Sequence, residues 1–202
     1  TTYEGERLVN TTQVNYVDPL DRKQILEADQ ELRHQMNIIT DFLRKYVPGY
    51  EHCTIKTGAS TLGIRESRRF SGKYVMNISD LREARRFPDV VVHKAQFVVD
   101  IHNPVGGGQA NGIAEYVDAY DIPWRSLVPQ KMENLILAGR CISGTHEAMA
   151  SYRVMAIAMA IGEAAGIGAA LAIDHDVTPE NLDVKYIQKA LMDKGAVLFD
   201  EK

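Results

Sequence analysis

The sequence predicts a mixed α/β chain, and three observations carry that expectation. Apolar residues recur at helical intervals of seven, four, three and four over Ile25, Leu32, Met36, Ile39 and Leu43. Short β-rich runs occupy 90–102 and 134–140. An Ala/Gly-rich stretch, VMAIAMAIGEAAGIGAALAI from Val154 to Ile173, has the length of a long helix.

Each element follows from local signals. The first fifteen residues are polar and β-tolerant and read as a strand or an extended lead-in. Asp18-Pro19 has the form of an N-cap with proline at the first helical position, so the amphipathic helix is expected to start there and to stop before Pro48-Gly49. Strand-like runs at 62–70 and 73–79 flank Ser71-Gly72 and predict a hairpin. LREARRF at 81–87 reads as a short helix or turn stopped by Pro88. VVVHKAQFVVDIH at 90–102 holds two β-rich runs, NPVGGGQANG at 103–112 is a loop, and Ile122-Pro123-Trp124 resembles an edge or a turn.

Further on, NLILAGR at 134–140 has the profile of a buried strand, and CISGTHEAMASYR at 141–153 that of a polar loop. The long Ala/Gly helix comes next. A final helix from about Asp183 to Lys194 turns Val184, Ile187, Leu191 and Met192 inward, with Gly195 at its C-terminal cap.

Composition narrows the function classes. At 202 residues, 45% apolar and 25% charged, the chain falls within the range of globular domains, which excludes disorder and fibrous repeats. Lys plus Arg number 23 against 27 Asp plus Glu, so no general electrostatic hold on nucleic acid is expected. Cys53 and Cys141 cannot form a disulfide framework, and a reducing, cytoplasmic setting is the expectation. Neither these cysteines nor His34, His52, His93 and His175 show metal-ligand spacing, so no metal is expected. Thr1 opens the chain with no basic or apolar leader, which suggests a missing upstream segment. The stretch 154–173 is long enough to cross a bilayer, but Ala and Gly contribute little transfer energy and Glu163 opposes insertion, so a packed helix rather than a membrane span is expected.

The most informative unit runs from Asn134 to Ile173: strand, Gly-Arg, polar loop, small-residue helix. A strand feeding a helix in this way aims unpaired backbone N–H groups and the positive end of the helix dipole at one point, which suits a phosphate or a delocalised anion. Gly162, Gly166 and Ala170, or Gly168 one face over, would let a flat ligand or another backbone lie close. A tightly packed core helix explains the same residues.

The run ENLILAGRCISGTHEAMASYRVMAIAMAIGEAAGIGAALA at 133–172 resembles the C-terminal flavin-binding segment of bacterial FAD-dependent oxidoreductases. KYVPGYE at 45–51, LGIRESRRFSGKY at 62–74 and IPWRSLVP at 122–129 match the same family in the same order. More distantly, AGRCISGTHEA is similar to the AGE-x5-HGA segment of fumarate reductase and succinate dehydrogenase flavoproteins, with His146 on their histidine and Arg140 where they carry an acid. The G-x-G-x-x-G turn that binds the FAD pyrophosphate in such proteins does not occur in the sequence; Gly106-Gly107-Gly108 follows Asn103-Pro104 and opens no helical pattern, so it reads as a flexible loop.

The resemblance implies a fragment of an α/β flavoprotein. Residues 1–125 would form a substrate or cap region of α+β type, and 126–202 the returning strand and helix of a Rossmann-like FAD domain with the terminal helix. FAD would be held by Ala138, Gly139 and Arg140 at the strand end and by the backbone N–H groups of Arg153, Val154 and Met155 at the start of the long helix. His146 would manage a proton, with His102 as a second candidate, and Arg65 would clamp an anionic substrate. A hydrogen bond for His146, an ion pair with Glu66 for Arg65 and a solvent-facing strand end for His102 are the structural alternatives. Cys141 reads as a small buried residue.

The implied activity is hydride transfer between a small anionic organic substrate and FAD. Its implied partners are an N-terminal FAD-binding segment of the same protein and that small-molecule substrate. The chain alone would be inactive and open to self-association through the uncovered helix. The alternative is a non-catalytic binding or assembly module that keeps the fold.

Overall fold

The computed structural model describes residues 4–101 and 114–200. The chain divides into two compact units, Thr1–Ser67 and Arg68–Lys202. The functional division expected between 125 and 126 falls inside the second unit, at a 3-10 turn Trp124–Ser126.

The first unit is built on one helix, α1 (Arg22–Tyr46). It starts three residues later than the Asp18-Pro19 signal predicts, because Asp21 is the cap: its carboxylate accepts from Lys23 N at 2.8 Å and Gln24 N at 3.4 Å. Asp18 instead shapes the turn in front, accepting from Leu20 N at 2.9 Å. The helix ends before Pro48 as expected, with Arg44 and Lys45 in the last turn where the dipole favours cations. Ala28 and Thr40 are buried, and Ile25, Leu32, Met36, Ile39 and Leu43 are half-buried on the same side. Extended chain lies alongside. Gln35 and the backbone of Gln13 exchange two hydrogen bonds of 2.9 and 3.0 Å, and Arg44 Nε donates to Cys53 O at 2.9 Å.

In the second unit the predicted hairpin is absent. Residues 70–76 run extended without a partner strand of their own, because their backbone groups are claimed by distant loops. Phe70 N donates to Cys141 O, Lys73 N to Val128 O, Tyr74 N to Arg125 O and Met76 N to Ser143 O, all within 3.1 Å. A short helix, α2 (Ile78–Arg82), begins earlier than LREARRF suggests, since Asn77 forms a reciprocal capping box with Asp80.

Two strands follow, β1 (Val90–Ala95) and β2 (Tyr120–Pro123). They pair antiparallel, Val90 with Pro123, Val92 with Ile122 and Ala95 with Tyr120, with register shifts on both sides of Val92. The second β-rich run, 97–101, contributes a single bridge between Val99 and Glu115. Residues 135–138 do not form the expected buried strand. Leu137 is buried and donates to Leu127 O at 2.7 Å, but no ladder forms among the described residues, and a strand without neighbours has no stability of its own.

Three helices complete this unit: α3 (His146–Tyr152), α4 (Met155–Asp174) and α5 (Val184–Asp193). Helices α4 and α5 pack on each other and on β1. Helix α5 is capped by Asp183, closes at Gly195 with φ +94°, and buries Ile187 and Leu191 as predicted. Met192 points outward, however, and Gln188 takes the inner position because its amide donates to Pro88 O and Val90 O at 2.9 and 3.1 Å.

Helix α4 is long and apolar enough to cross a membrane, yet it has one packed face: Ile157, Ile161, Ala164, Ala165, Gly168 and Ala172 are buried. At Gly168 a Cβ would lie 2.3 Å from the Trp124 ring, and that ring is fixed by Nε1 donating to Pro179 O at 3.2 Å. At Gly162 a Cβ would meet nothing within 4 Å.

The two glycines therefore separate under substitution. Gly168→Ala should lower stability by about 1–3 kcal/mol through overpacking. Gly162→Ala should leave stability unchanged or raise it by up to about 1 kcal/mol, because alanine is the better helix former. Urea denaturation with unchanged m-values checks both; equal effects would show that Gly168 does not carry the Trp124 contact.

Candidate functional site

The candidate site lies where the chain turns from residue 138 into α3 and α4. Ala138 is extended and exposed, and Gly139 opens a 3-10 turn, Gly139–Cys141, that packs on α4. Gly139 has φ +70°, a left-handed conformation that favours glycine, while a Cβ there would meet no atom within 4 Å. The backbone demands glycine and the chain leaves the adjoining space open. Arg140 is exposed, and Cys141 is half-exposed rather than buried, with Sγ 3.2 Å from Ala138 O.

The segment expected to be a polar loop folds into α3. Thr145 is its N-cap, with Oγ1 accepting from Ala148 N at 3.4 Å, so His146 is the first helical residue and is exposed. Three contacts fix the helix. Tyr120 Oη and Ser151 Oγ lie 2.8 Å apart, Ser151 Oγ donates to Phe97 O at 2.6 Å, and Tyr152 Oη donates to Ile142 O at 3.2 Å. The approach of Tyr152 also requires glycine at 144, where a Cβ would sit 2.6 Å from the phenol oxygen. Beside this turn, Arg69 Nε donates to Gly144 O at 2.9 Å. Its own backbone N–H first, and then the Thr145 hydroxyl, hold the Glu147 carboxyl below its usual range.

Arg153 does not start the long helix as the sequence suggests. It is the C-terminal cap of α3, its N–H donates to Met149 O at 3.1 Å, and its guanidinium grips Asp100 through the carbonyl at 3.0 Å and the carboxylate at 2.8 Å. Val154 is the N-cap of α4 and Met155 its first residue. Among the described residues no side chain caps this end, and no acid occupies the first turn. The first N–H groups of a helix have no acceptor inside it, so those of α4 present an uncancelled positive dipole end.

The second unit thus gathers Ala138, Gly139, Arg140, His146, Arg153, Val154 and Met155 within one turn-helix-helix segment. Arg65 belongs to the first unit, exposed in a stretch without regular structure. His102 and Gly106-Gly107-Gly108 lie outside the described residues. The sequence reading missed Arg69, which sits in the same RESRR motif as Arg65, and the Tyr120–Ser151 pair, which only the fold brings together. Thr145 was detectable as a threonine placed before a helix with an acid in its first turn.

The open space at Gly139, the uncapped α4 terminus and two uncovered helix glycines at 162 and 166 suit a large, flat, anionic group. The sequence model of the FAD dependent oxidoreductase family matches residues 1–191. The chain belongs to that family. FAD is the cofactor the family implies. Neither the curated proteins nor the solved structures contain a match to this chain.

Two buried phenols, Tyr152 at the end of α3 and Tyr120 against its Ser151, make alkaline stability a probe of this region. Burial pushes the Tyr120 hydroxyl up to about 12, and it also raises that of Tyr152. An unfolded tyrosine titrates near pH ~10. Up to that pH these groups leave stability unchanged. Above it the unfolded chain loses protons that the folded chain keeps, so stability should fall by up to about 1.4 kcal/mol per pH unit for each tyrosine, until the folded phenol ionises. Tyr120→Phe should shallow this decline and cost about 1 kcal/mol at pH ~7. Urea unfolding across the alkaline range tests it; an identical slope in the variant would count against the assignment.

Proposed function

We propose that this chain is the C-terminal part of a flavoprotein oxidoreductase that transfers hydride between a small anionic organic substrate and FAD. The observation that carries the reading is the uncapped, acid-free N-terminus of α4, packed beside a left-handed glycine turn, in a chain of the FAD dependent oxidoreductase family. The likeness of the 138–148 segment to the fumarate reductase and succinate dehydrogenase flavoproteins supports a Rossmann-like domain for this part. The dinucleotide turn would come from an N-terminal segment of the same protein.

In this reading Gly139 leaves room for the cofactor, and the N–H groups of Val154, Met155 and the next residues stabilise its negative charge. Arg153 contributes through its side chain, which ties the 97–101 segment to the α3–α4 corner, and not through its N–H. Bound there, FAD supplies the two-electron acceptor or donor. His146, exposed at the first turn of α3, takes or gives the substrate proton at a ring nitrogen. Arg65 would clamp the anionic group of the substrate.

Substitutions at Val154 test the anion site. Val154→Thr, nearly isosteric and a better cap, should stabilise the chain by about 0.5–1 kcal/mol. Val154→Asp places a carboxylate where the cofactor's charge would sit and should weaken FAD retention by tenfold or more in the complete protein, read by flavin absorbance. Undiminished flavin with Val154→Asp would place the cofactor elsewhere.

Proton handling is tested separately. His146→Ala or Arg65→Lys should slow anaerobic flavin reduction in the complete protein by about a hundredfold with flavin content unchanged. An unchanged rate would return that residue to a structural role.

A further inference from the structure

The segment after α5 turns at Gly195 and brings the chain back to β1. Ala196 N donates to Leu191 O at 3.0 Å, and Leu198 is buried in the core. At the end of this return the Asp200 carboxylate lies against two neighbours on β1, His93 and Lys94. In a regular strand these two side chains would point to opposite faces. Here Lys94 is left-handed, with φ +52°, and the β1–β2 register shifts between Val92 and Ala95, so both reach one carboxylate.

The two nitrogens of His93 are treated differently. The side chain is 3% exposed, and Nδ1 lies 2.8 Å from Asp121 Oδ1. That carboxylate is fixed in turn, accepting from Arg86 Nη1 at 3.2 Å and from Phe87 N and Lys94 N at 3.3 Å. A carboxylate only accepts, so Nδ1 donates, and Nε2 is the nitrogen turned toward Asp200. Nε2 is buried and has no hydrogen-bond partner among the described residues; Asp200 Oδ1 stands 3.5 Å from it. A buried polar atom in this condition calls for a ligand of another kind. Zinc binds imidazole nitrogen at ~2.0–2.1 Å and carboxylate oxygen at ~2.0–2.2 Å, so two such ligands at a tetrahedral angle stand about 3.3–3.5 Å apart. The Nε2–Oδ1 separation has that spacing.

We propose that His93 Nε2 and the Asp200 carboxylate are the protein ligands of a zinc-class divalent cation, which fastens the C-terminal segment 196–200 to strand β1. A carboxylate on the far ring nitrogen is the usual partner of a metal-bound histidine, because it fixes the ring and makes the ligating nitrogen a stronger donor. Asp121 stands in that position. The Asp200 carboxyl is held below its usual range, first of all by Lys94, and is therefore an anion ready to ligate. An imidazole with one carboxylate suits zinc better than magnesium or calcium, which take oxygen ligands. Among the described residues no third His, Cys, Asp or Glu joins the pair, so water fills the remaining positions. Lys94 is the competitor: its ammonium pairs with Asp200, and with the two side chains 52% and 56% exposed it can swing to solvent as the ion enters. The ligands come from β1 and from beyond α5, which is why spacing along the sequence did not reveal them. The proposal does not depend on the flavin reading.

Hydrogen exchange of the full chain with zinc chloride, in chelator-treated buffer at neutral pH, tests the site. At zinc about ten times the dissociation constant found by calorimetry, protection of the 196–200 amides should rise about tenfold, the factor that linkage sets when a ligand binds only the closed segment. Protection of Ile187–Leu191 in α5 should stay unchanged, and magnesium chloride at the same concentration should protect neither. The His93 Nε2 resonance should shift on zinc addition while Nδ1 keeps its hydrogen. Asp200→Asn, at an exposed position, should abolish the rise and leave α5 as in the wild type. Lys94→Gln should tighten zinc binding about two- to fivefold, since it removes a competing exposed ion pair. Zinc held elsewhere, as at the adjacent His52 and Cys53, would leave the 196–200 amides unchanged and overturn the proposal, as would an equal rise in Asp200→Asn.

Discussion

The contact between Gly168 and the Trp124 ring sets the geometry of the larger unit. Trp124 follows β2 directly, and its indole N–H is held by Pro179 O in the link between α4 and α5. One side chain therefore joins the strand pair, the long helix and the link to the last helix. Helix α4 can lie this close only because residue 168 has no Cβ. Moving α4 outward would uncover Ile157 and Ile161 and loosen their packing on the strands, at roughly 1.5–3 kcal/mol for each large apolar side chain exposed. With α4 fixed, its N-terminal end, and hence the candidate cofactor contact, is fixed too.

Around that contact the unit relies on long-range backbone bonds more than on sheets. Ser143 illustrates this: its N–H donates to Ser126 O and its carbonyl accepts from Met76 N, while Thr145 N donates to Met76 O. Residues 72–76, 125–129 and 141–145 thus hold one another through exchanges too short to build a regular ladder yet sufficient to satisfy buried polar groups. The same web carries the cap of α3, so the position of His146 is inherited from strands and loops some seventy residues away in sequence.

The sequence made the helices legible and concealed this web. The α1 interval pattern, the run 154–173 and the α5 pattern with Gly195 each depend on neighbours within a few turns, which periodicity detects. The hairpin at 62–79 and the strand at 134–140 were misplaced because β-rich residues report that a segment is extended, without reporting which partner it finds. Phe70 found Cys141, and Leu137 found Leu127. At the site, the glycine at 139 and the boundary at Val154 were readable from composition. The closing of α3 at Arg153 was not, since it depends on the Asp100 side chain. Of two nearby arginines, the alphabet alone gave no reason to single out Arg69, whose bond to Gly144 O crosses 75 positions.

The remaining glycines of α4 sharpen the functional reading. Gly168 is required by Trp124, but a Cβ at Gly162 or Gly166 would touch nothing in the described chain. In a helix interior each of these glycines costs about 0.5–1 kcal/mol relative to alanine. They fall on the side of α4 that also exposes Met155, Met159 and Ile173. A helix that needed only to cover β1 and α5 would gain by replacing both. Two unfavourable residues on an uncovered apolar face, one turn apart and on the helix whose N-terminus has no cap, are accounted for together if a flat cofactor or another backbone lies against that face. Packing among the described residues accounts for neither, which is why the flavin reading rests on α4 as a whole more than on any single side chain.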